Sequence, residues 1–121
     1  MPFTGSCHCG KVAYTVDEDA PTEAMACNCS ICRRRAALHH FTTPDKFTLE
    51  TSREDLSTYR WNKEAIALHF CRDCGCAPFA EGQGPNGPMV EINLRCAEDI
   101  DVGSLKINPF DGAHQIPGPV S

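Results

Sequence analysis

The sequence predicts a small, mainly β domain. Short segments alternate apolar and polar residues with the period of a β-strand, most clearly in residues 65–70 and 89–94. Turns rich in glycine and proline separate these segments. Nine cysteines are present in 121 residues, and several stand where a predicted strand meets a turn. These features favour short strands whose turns carry metal ligands.

The first part of the chain predicts a hairpin, a strand and a helical turn. Residues 3–9 and 11–16 form the hairpin, with the turn Cys7-His8-Cys9-Gly10 at its tip. Residues 23–27 predict a short strand. One or two helical turns are expected over 33–37, with Ser30 as their N-cap.

The remaining segments predict more strands and an irregular end. Strands are expected over 38–42, 47–51, 65–70 and 89–94. Three glycines and two prolines predict a loop over 81–88. Residues 108–121 are expected to be an irregular tail.

Length and composition exclude several classes of protein. A chain of 121 residues suits one domain, so 1–121 is predicted to be a single domain with its core over about 3–107. Hydrophobic residues make up 41%, and no stretch approaches the roughly 18 apolar residues of a membrane helix. No secretory signal is evident, and we expect a cytoplasmic location. The net charge of −5 disfavours nucleic-acid binding.

The cysteines predict metal ligation. In a reducing cytosol such a density favours metal sites or catalysis over disulfides. Seven of the nine lie in three clusters, Cys7-x-Cys9, Cys27-x-Cys29-x-x-Cys32 and Cys71-x-x-Cys74. Zinc is the favoured metal because it binds thiolates readily in a tetrahedral site, and iron–sulfur ligation is the alternative.

Glycines suggest how the clusters divide between sites. Gly10 and Gly75 follow the first and third clusters and allow the positive φ that a tight cysteine turn can require. Pairing these two clusters gives a closed structural site of Cys7, Cys9, Cys71 and Cys74. The middle cluster then has three thiolates and an open fourth position, as a catalytic zinc requires.

Other residues near the clusters are less specific. Cys76 and Cys96 are expected to be small buried residues, with a role as fourth ligand as the alternative. His39 and His40 must point to opposite faces of a strand, so at most one can face the metal. The arginine run 33–35 is a solvated helix face, a contact for a substrate carboxylate, or a positive charge that offsets the negative charge of a zinc bound by three thiolates.

Three motifs together resemble the glutathione-dependent formaldehyde-activating enzyme (GFA) family. They are GSCHCG at 5–10, CNCSICR at 27–33 and FCRDCG at 70–75, and the resemblance covers about 3–107. It implies an Mss4-like (β-tent) fold of small antiparallel sheets, two zinc ions per chain and the carbon–sulfur lyase activity of an S-(hydroxymethyl)glutathione synthase. It also implies a structural zinc on Cys7, Cys9, Cys71 and Cys74 and a catalytic zinc on Cys27, Cys29 and Cys32.

The expected reaction adds a zinc-activated thiol to a small aldehyde, or reverses this addition. The expected partners are a small thiol, glutathione or a related one, and a small aldehyde. Arg33 and Arg95 are candidate contacts for the carboxylates of the thiol. The competing hypothesis is a non-catalytic binding module stabilised by two structural zinc sites, which a fourth protein ligand at the middle cluster would favour.

Overall fold

The computed structural model describes residues 1–61 and 66–115, and in these it is mainly β. The described residues form two sheets and two short helices, α1 (Ser30–Arg35) and α2 (Gly112–Gln115). The strands are β1 (Phe3–Ser6), β2 (Ala13–Val16), β3 (Glu23–Cys27), β4 (His39–Thr42), β5 (Phe47–Leu49), β6 (Leu56–Trp61), β7 (Ile66–Cys71), β8 (Phe79–Gly84), β9 (Gly87–Asn93) and β10 (Lys106–Phe110). The predicted fold class is confirmed.

The smaller sheet is antiparallel and has the order β1-β2-β5. Strands β1 and β2 form the predicted hairpin, in register from Phe3 opposite Val16 to Ser6 opposite Ala13. Apolar side chains on one face of the hairpin are buried, among them Phe3, Tyr14 and Val16. The turn that joins these two strands carries Cys7 and Cys9, so both cysteines lie at the closed tip of the hairpin.

The larger sheet has the order β10-β3-β4-β9-β8-β7-β6. Its neighbouring strands are antiparallel except β10 and β3, which run parallel from Lys106 opposite Glu23 to Phe110 opposite Cys27. The prediction of an irregular tail is therefore wrong for residues 108–115, which lie in β10 and α2 or between them. Strand β10 is exposed along most of its length and contains Pro109, which an edge strand tolerates. It therefore lacks the alternating pattern that would have predicted it. Residues 116–121 lie outside the described residues.

The predicted loop over 81–88 is also wrong. Strands β8 and β9 form a hairpin through this segment, and their last pair is Gly84 opposite Gly87. Gly87 has a φ of +117°, which a residue with a side chain rarely adopts. The glycines therefore serve a tight turn between two strands rather than a long loop.

The helical segment begins earlier than predicted. Helix α1 starts at Ser30, and its N-cap is Cys29 rather than Ser30. The Cys29 sulfur accepts a hydrogen bond from the backbone N–H of Cys32 at 3.5 Å. A thiol thus takes the place of the usual hydroxyl or carboxylate cap.

The two sheets pack through aromatic and aliphatic side chains. The Phe47 ring of β5 lies 4.7 Å from the Phe79 ring of β8, measured between centroids, and 5.8 Å from that of Tyr14. Val90 and Ile92 of β9 are fully buried in the same core. Among the described residues, no helix is long and apolar enough to cross a membrane.

Candidate metal centres and cavity

Four cysteine sulfurs meet where the two sheets join. Cys7 and Cys9 lie in the turn after β1, whereas Cys71 ends β7 and Cys74 lies in the turn that follows. Their Sγ atoms are all within 4.8 Å of one another. Cys9 Sγ is 3.7 Å from Cys7 Sγ and 3.6 Å from Cys71 Sγ. We call this group the four-sulfur cluster.

Backbone N–H groups around the four-sulfur cluster favour negatively charged sulfur. Val12 donates to Cys7 Sγ at 3.3 Å. The backbone N–H groups of Cys76 and Cys9 lower the pKa of Cys74 to about 5. The N–H of Cys74 likewise holds the pKa of Cys71 below its ordinary value. At Cys9 the backbone N–H of Lys11 lowers the pKa, but burial and the neighbouring sulfurs outweigh it and raise the pKa to about 12. The thiolate is the form that ligates metal, so the backbone favours the metal-binding form at Cys71 and Cys74.

The turns have the backbone geometry that their glycines predict. Gly10 and Gly75 have φ angles of +86° and +81°. Across the cluster, Lys11 Nζ lies 2.6 Å from Asp73 Oδ2 and joins the two turns by an ion pair. The sulfurs of a tetrahedral site with metal–sulfur bonds of about 2.3 Å are separated by about 3.8 Å. The separations of Cys9 Sγ from the sulfurs of Cys7 and Cys71 are close to this value.

A second group of sulfurs, the three-sulfur cluster, lies between β3 and α1. Cys27 ends β3, Cys29 caps α1, and Cys32 lies in the first turn of the helix. The three Sγ atoms are within 4.8 Å of one another. Within residues 1–61 and 66–115, no fourth histidine, cysteine or carboxylate joins them. The cluster could bind a metal ion and leave a ligand position for another molecule.

The two clusters differ in electrostatics. Burial raises the pKa of Cys27, although the N–H of Cys29 donates to its sulfur. Burial also raises the pKa of Cys32, and the Cys29 thiol and the Glu91 carboxylate add to this effect. Ionised sulfur at Cys27 and Cys32 therefore depends on a cation more strongly than at Cys71 and Cys74.

A cavity of about 680 Å³ adjoins the three-sulfur cluster, and Cys27 and Cys32 are part of its wall. The pairing of residues between neighbouring strands explains how one face of the large sheet forms this wall. Each of seven strands contributes residues that pair across the sheet and hence share one face. These are Phe110, Met25, Cys27, His39, Phe41, Glu91, Asn93, Met89, Ala80, Leu68, Ile66 and Trp61. The cavity wall is thus mostly apolar.

A few charged or ionisable side chains interrupt the apolar wall. Arg35, His39, Glu91 and Arg95 line the cavity. Burial lowers the pKa of Arg35, whereas Cys32 and Glu91 offset this by their negative charge. Arg95 donates from Nε to the carbonyl oxygen of Ala36 at 2.8 Å.

Only some of the predicted site residues line the cavity. Of the two candidate arginines, Arg95 lines the cavity, whereas Arg33 is exposed and does not. Cys76 and Cys96 also line the cavity without joining either cluster. Glu91 was not predicted as a site residue, and Arg35 was predicted only as part of the arginine run 33–35. The missing signal was the strand register, which the alternating pattern of β9 alone does not supply.

The histidines of β4 lie on opposite faces, as predicted. His39 is on the cavity side, whereas His40 Nε2 lies 2.7 Å from Glu18 Oε1 on the other side. His8, in the turn between Cys7 and Cys9, is exposed.

The protein is a candidate metalloprotein, because its mainly β fold carries two cysteine clusters and one of them lies beside a cavity. The family model described as "Glutathione-dependent formaldehyde-activating enzyme" matches residues 2–109. This chain belongs to that family, as the three cysteine motifs predicted.

Two proteins are similar to this chain, one in sequence and one in structure. A protein of Halomonas elongata, provisionally named a glutathione-dependent formaldehyde-activating enzyme, is 31% identical over 86 residues. The match covers 64% of this chain and 54% of that protein, so the chain spans about half the length of this relative. A crystal structure of a Rhodobacter sphaeroides protein has a TM-score of 0.73 at 25% identity and covers 87% of this chain and 99% of that one. It has the same fold.

Proposed function

We propose that this protein is a zinc-dependent carbon–sulfur lyase that resembles S-(hydroxymethyl)glutathione synthase. It would join a small thiol to a small aldehyde, or release them from the adduct. The observation that carries this proposal is the position of the three-sulfur cluster, because Cys27 and Cys32 lie in the wall of the cavity. Membership of the family supports the same chemistry.

Zinc fits both clusters by donor type, and the two short sulfur separations of the four-sulfur cluster also suit it. Cys7, Cys9, Cys71 and Cys74 would hold a structural zinc with four sulfur ligands. Cys27, Cys29 and Cys32 would hold the catalytic zinc. When bound there, zinc would supply a Lewis acid with an open position at which a thiol loses its proton at neutral pH.

The cavity residues would bind and orient the substrates. Arg35 and Arg95 place positive charge on a wall that is otherwise mostly apolar. A carboxylate-bearing thiol such as glutathione would gain charge-assisted hydrogen bonds from them. The apolar wall would exclude water from the reacting carbonyl group and so favour addition of the thiol over hydration.

Arg33 is less suited to this role than Arg35 and Arg95. Its side chain is exposed at the surface of α1, whereas Arg35 of the same helix lines the cavity. We therefore propose Arg35 and Arg95 as the carboxylate contacts. An Arg33→Ala variant is expected to retain the glutathione KM of the unmodified protein.

The test compares adduct formation by matched variants loaded with zinc. Glutathione and ¹³C-formaldehyde are mixed, and exchange into the adduct is followed by NMR above the uncatalysed rate. The unmodified protein and Arg34→Ala, an exposed change in the same helix, are expected to accelerate exchange. Cys29→Ser is expected to lose this acceleration.

The opposite outcome would favour another class of protein. If no thiol and aldehyde pair is accelerated, and X-ray absorption shows four protein ligands at both zinc ions, the lyase proposal is wrong. The protein would then be a binding module with two structural zinc sites.

A further inference from the structure

One histidine and one carboxylate form a buried pair in the cavity wall. His39 in β4 lies opposite Asn93 of β9, and Phe41 lies opposite Glu91, so all four share a face of the large sheet. His39 Nδ1 contacts Glu91 Oε1. The His39 side chain is 5% exposed and that of Glu91 is 17% exposed, so both are largely shielded from water.

The contact with Glu91 fixes which nitrogen of His39 carries hydrogen. An ionised carboxylate only accepts hydrogen bonds, so Nδ1 must be the donor. In the neutral imidazole, Nε2 then has a free lone pair. This nitrogen is buried and has no hydrogen-bond partner among the described residues. A buried acceptor without a partner costs free energy unless a ligand supplies a donor.

Ring nitrogens of two other partly or fully buried histidines do have hydrogen-bond partners. His69 is buried to a similar extent, but Nδ1 lies 2.9 Å from Thr58 Oγ1 and Nε2 lies 2.7 Å from Glu81 Oε1. His40 is next to His39 in the chain, and its Nε2 contacts Glu18. The free Nε2 of His39 therefore sets it apart from both, and it belongs to a residue in the cavity wall.

We propose that His39 is a catalytic residue that transfers the proton of the reaction, with Glu91 as its positioning residue. This inference rests on the proposed lyase function. In the direction of addition, Nε2 takes the proton that the substrate thiol gives up on binding, and the thiolate sulfur then bonds to the carbonyl carbon. The C=O π bond breaks, and the oxygen takes up the proton that Nε2 carried. The product is a hemithioacetal, and His39 returns to its starting form with no net gain or loss of electrons.

Charges around the pair suit transient protonation of the imidazole. Glu91 stabilises a positive His39 from one side. Two side chains of α1 interact electrostatically with Glu91. Cys32 is negative when it is ionised, and Arg35 is positive. Proton transfer by a positioned side chain typically contributes about 10²- to 10⁴-fold to a rate.

The decisive variant is His39→Asn in the zinc-loaded protein. Asparagine can still donate a hydrogen bond to Glu91 from the position of Nδ1, but it has no atom at the position of Nε2. We expect kcat to fall by about 100-fold or more, with KM for the thiol and both zinc equivalents retained. His40→Asn is the matched control, because it makes the same change one residue away on the opposite face.

Two further measurements separate a catalytic from a structural role. In His39→Ala, added imidazole is expected to restore the rate in proportion to its free-base concentration. Two-bond ¹H–¹⁵N spectra of the unmodified protein are expected to show His39 protonated at Nδ1 and not at Nε2. Glu91→Gln is expected to redistribute this proton without loss of zinc, and this readout does not depend on activity.

The outcomes separate the two proposals. If the unmodified protein accelerates adduct formation but His39→Asn does so equally well, the inference is wrong and the lyase function stands. A spectrum with hydrogen on Nε2 and none on Nδ1 would also overturn the inference. If the unmodified protein is inactive with every thiol and aldehyde pair, the lyase proposal fails and the inference fails with it.

Discussion

The sulfurs of Cys9 and Cys71 lie 3.6 Å apart although 62 positions separate the two residues in the chain. Cys9 belongs to the hairpin tip of the small sheet, and Cys71 ends a strand of the large sheet. A metal ion bound by these sulfurs would tie one sheet to the other at a single point. The four-sulfur cluster would then couple metal binding to folding of the chain.

We therefore expect Cys71→Ser to unfold the protein or greatly destabilise it. The change removes a fully buried ligand and leaves three thiolates without a complete site. Structural zinc contributes about 10 kcal/mol or more of apparent binding energy, comparable with the whole stability of a small domain. Circular dichroism and zinc analysis measure the effect, with Cys76→Ser as a control outside both clusters. Native zinc content and melting temperature in Cys71→Ser would disprove the pairing.

Cys29→Ser is expected to lose one zinc equivalent but keep the fold. The three sulfurs of this cluster come from one short segment, so their loss does not separate the sheets. Serine is moreover a good N-cap, so its hydroxyl can replace the sulfur that accepts from Cys32. Zinc content should fall from two equivalents to one, with a circular dichroism spectrum like that of the unmodified protein. Complete unfolding would show that both metals are structural.

Local patterns were enough to predict much of the fold. Residues 23–27 form β3 as predicted, and the clear alternation before Cys71 and before Leu94 corresponds to β7 and β9. Strand β6 was missed because three successive residues of its six are exposed, so burial does not alternate along it. Strand β8 was missed because its glycines resemble those of a loop. Pairing with neighbouring strands overrides the weak local preference in both segments.

The candidate site was predictable only where it is local in sequence. The cysteines and their glycines are short motifs, and the structure brings together the sulfurs that these motifs paired. The contact of His39 with Glu91 instead depends on the register of β4 against β9. A slip of one residue would turn Glu91 to the other face, and no short-range pattern fixes that register.

The stability contributed by Glu81 is expected to depend on pH. Arg53 Nη1 donates to Glu81 Oε1 at 3.0 Å, and this contact, followed by that of His69, lowers the pKa of Glu81 below its ordinary value. The folded state therefore favours the carboxylate. Its contribution is fully present above the ordinary pKa of 4.5 and is lost as the pH falls through the lower folded value.

Glu81→Gln measures this contribution, because the metal clusters are the same in both proteins and their own acid sensitivity cancels in the comparison. We expect the difference in free energy of unfolding from the unmodified protein to be largest near pH 7. It should shrink as the pH falls below 4.5. Glu50→Gln, at an exposed carboxylate that accepts from Thr15, is the control. A difference that stays constant down to pH 3 would contradict the assignment.

Thiol binding at the three-sulfur cluster can be made visible by replacing zinc with cobalt. A fourth sulfur ligand should add thiolate-to-cobalt charge-transfer bands and change the visible spectrum, and Cys29→Ser should abolish this change. The bound form is the thiolate, so the apparent affinity should fall as the pH is lowered. Glutathione should bind more tightly than methanethiol if Arg35 and Arg95 hold its carboxylates. Arg95→Ala should then weaken the binding of glutathione by about tenfold, equivalent to about 1.4 kcal/mol, while the binding of methanethiol stays unchanged. A spectrum that no thiol alters would exclude an open position at this metal and, with it, the thiol chemistry proposed for the cavity.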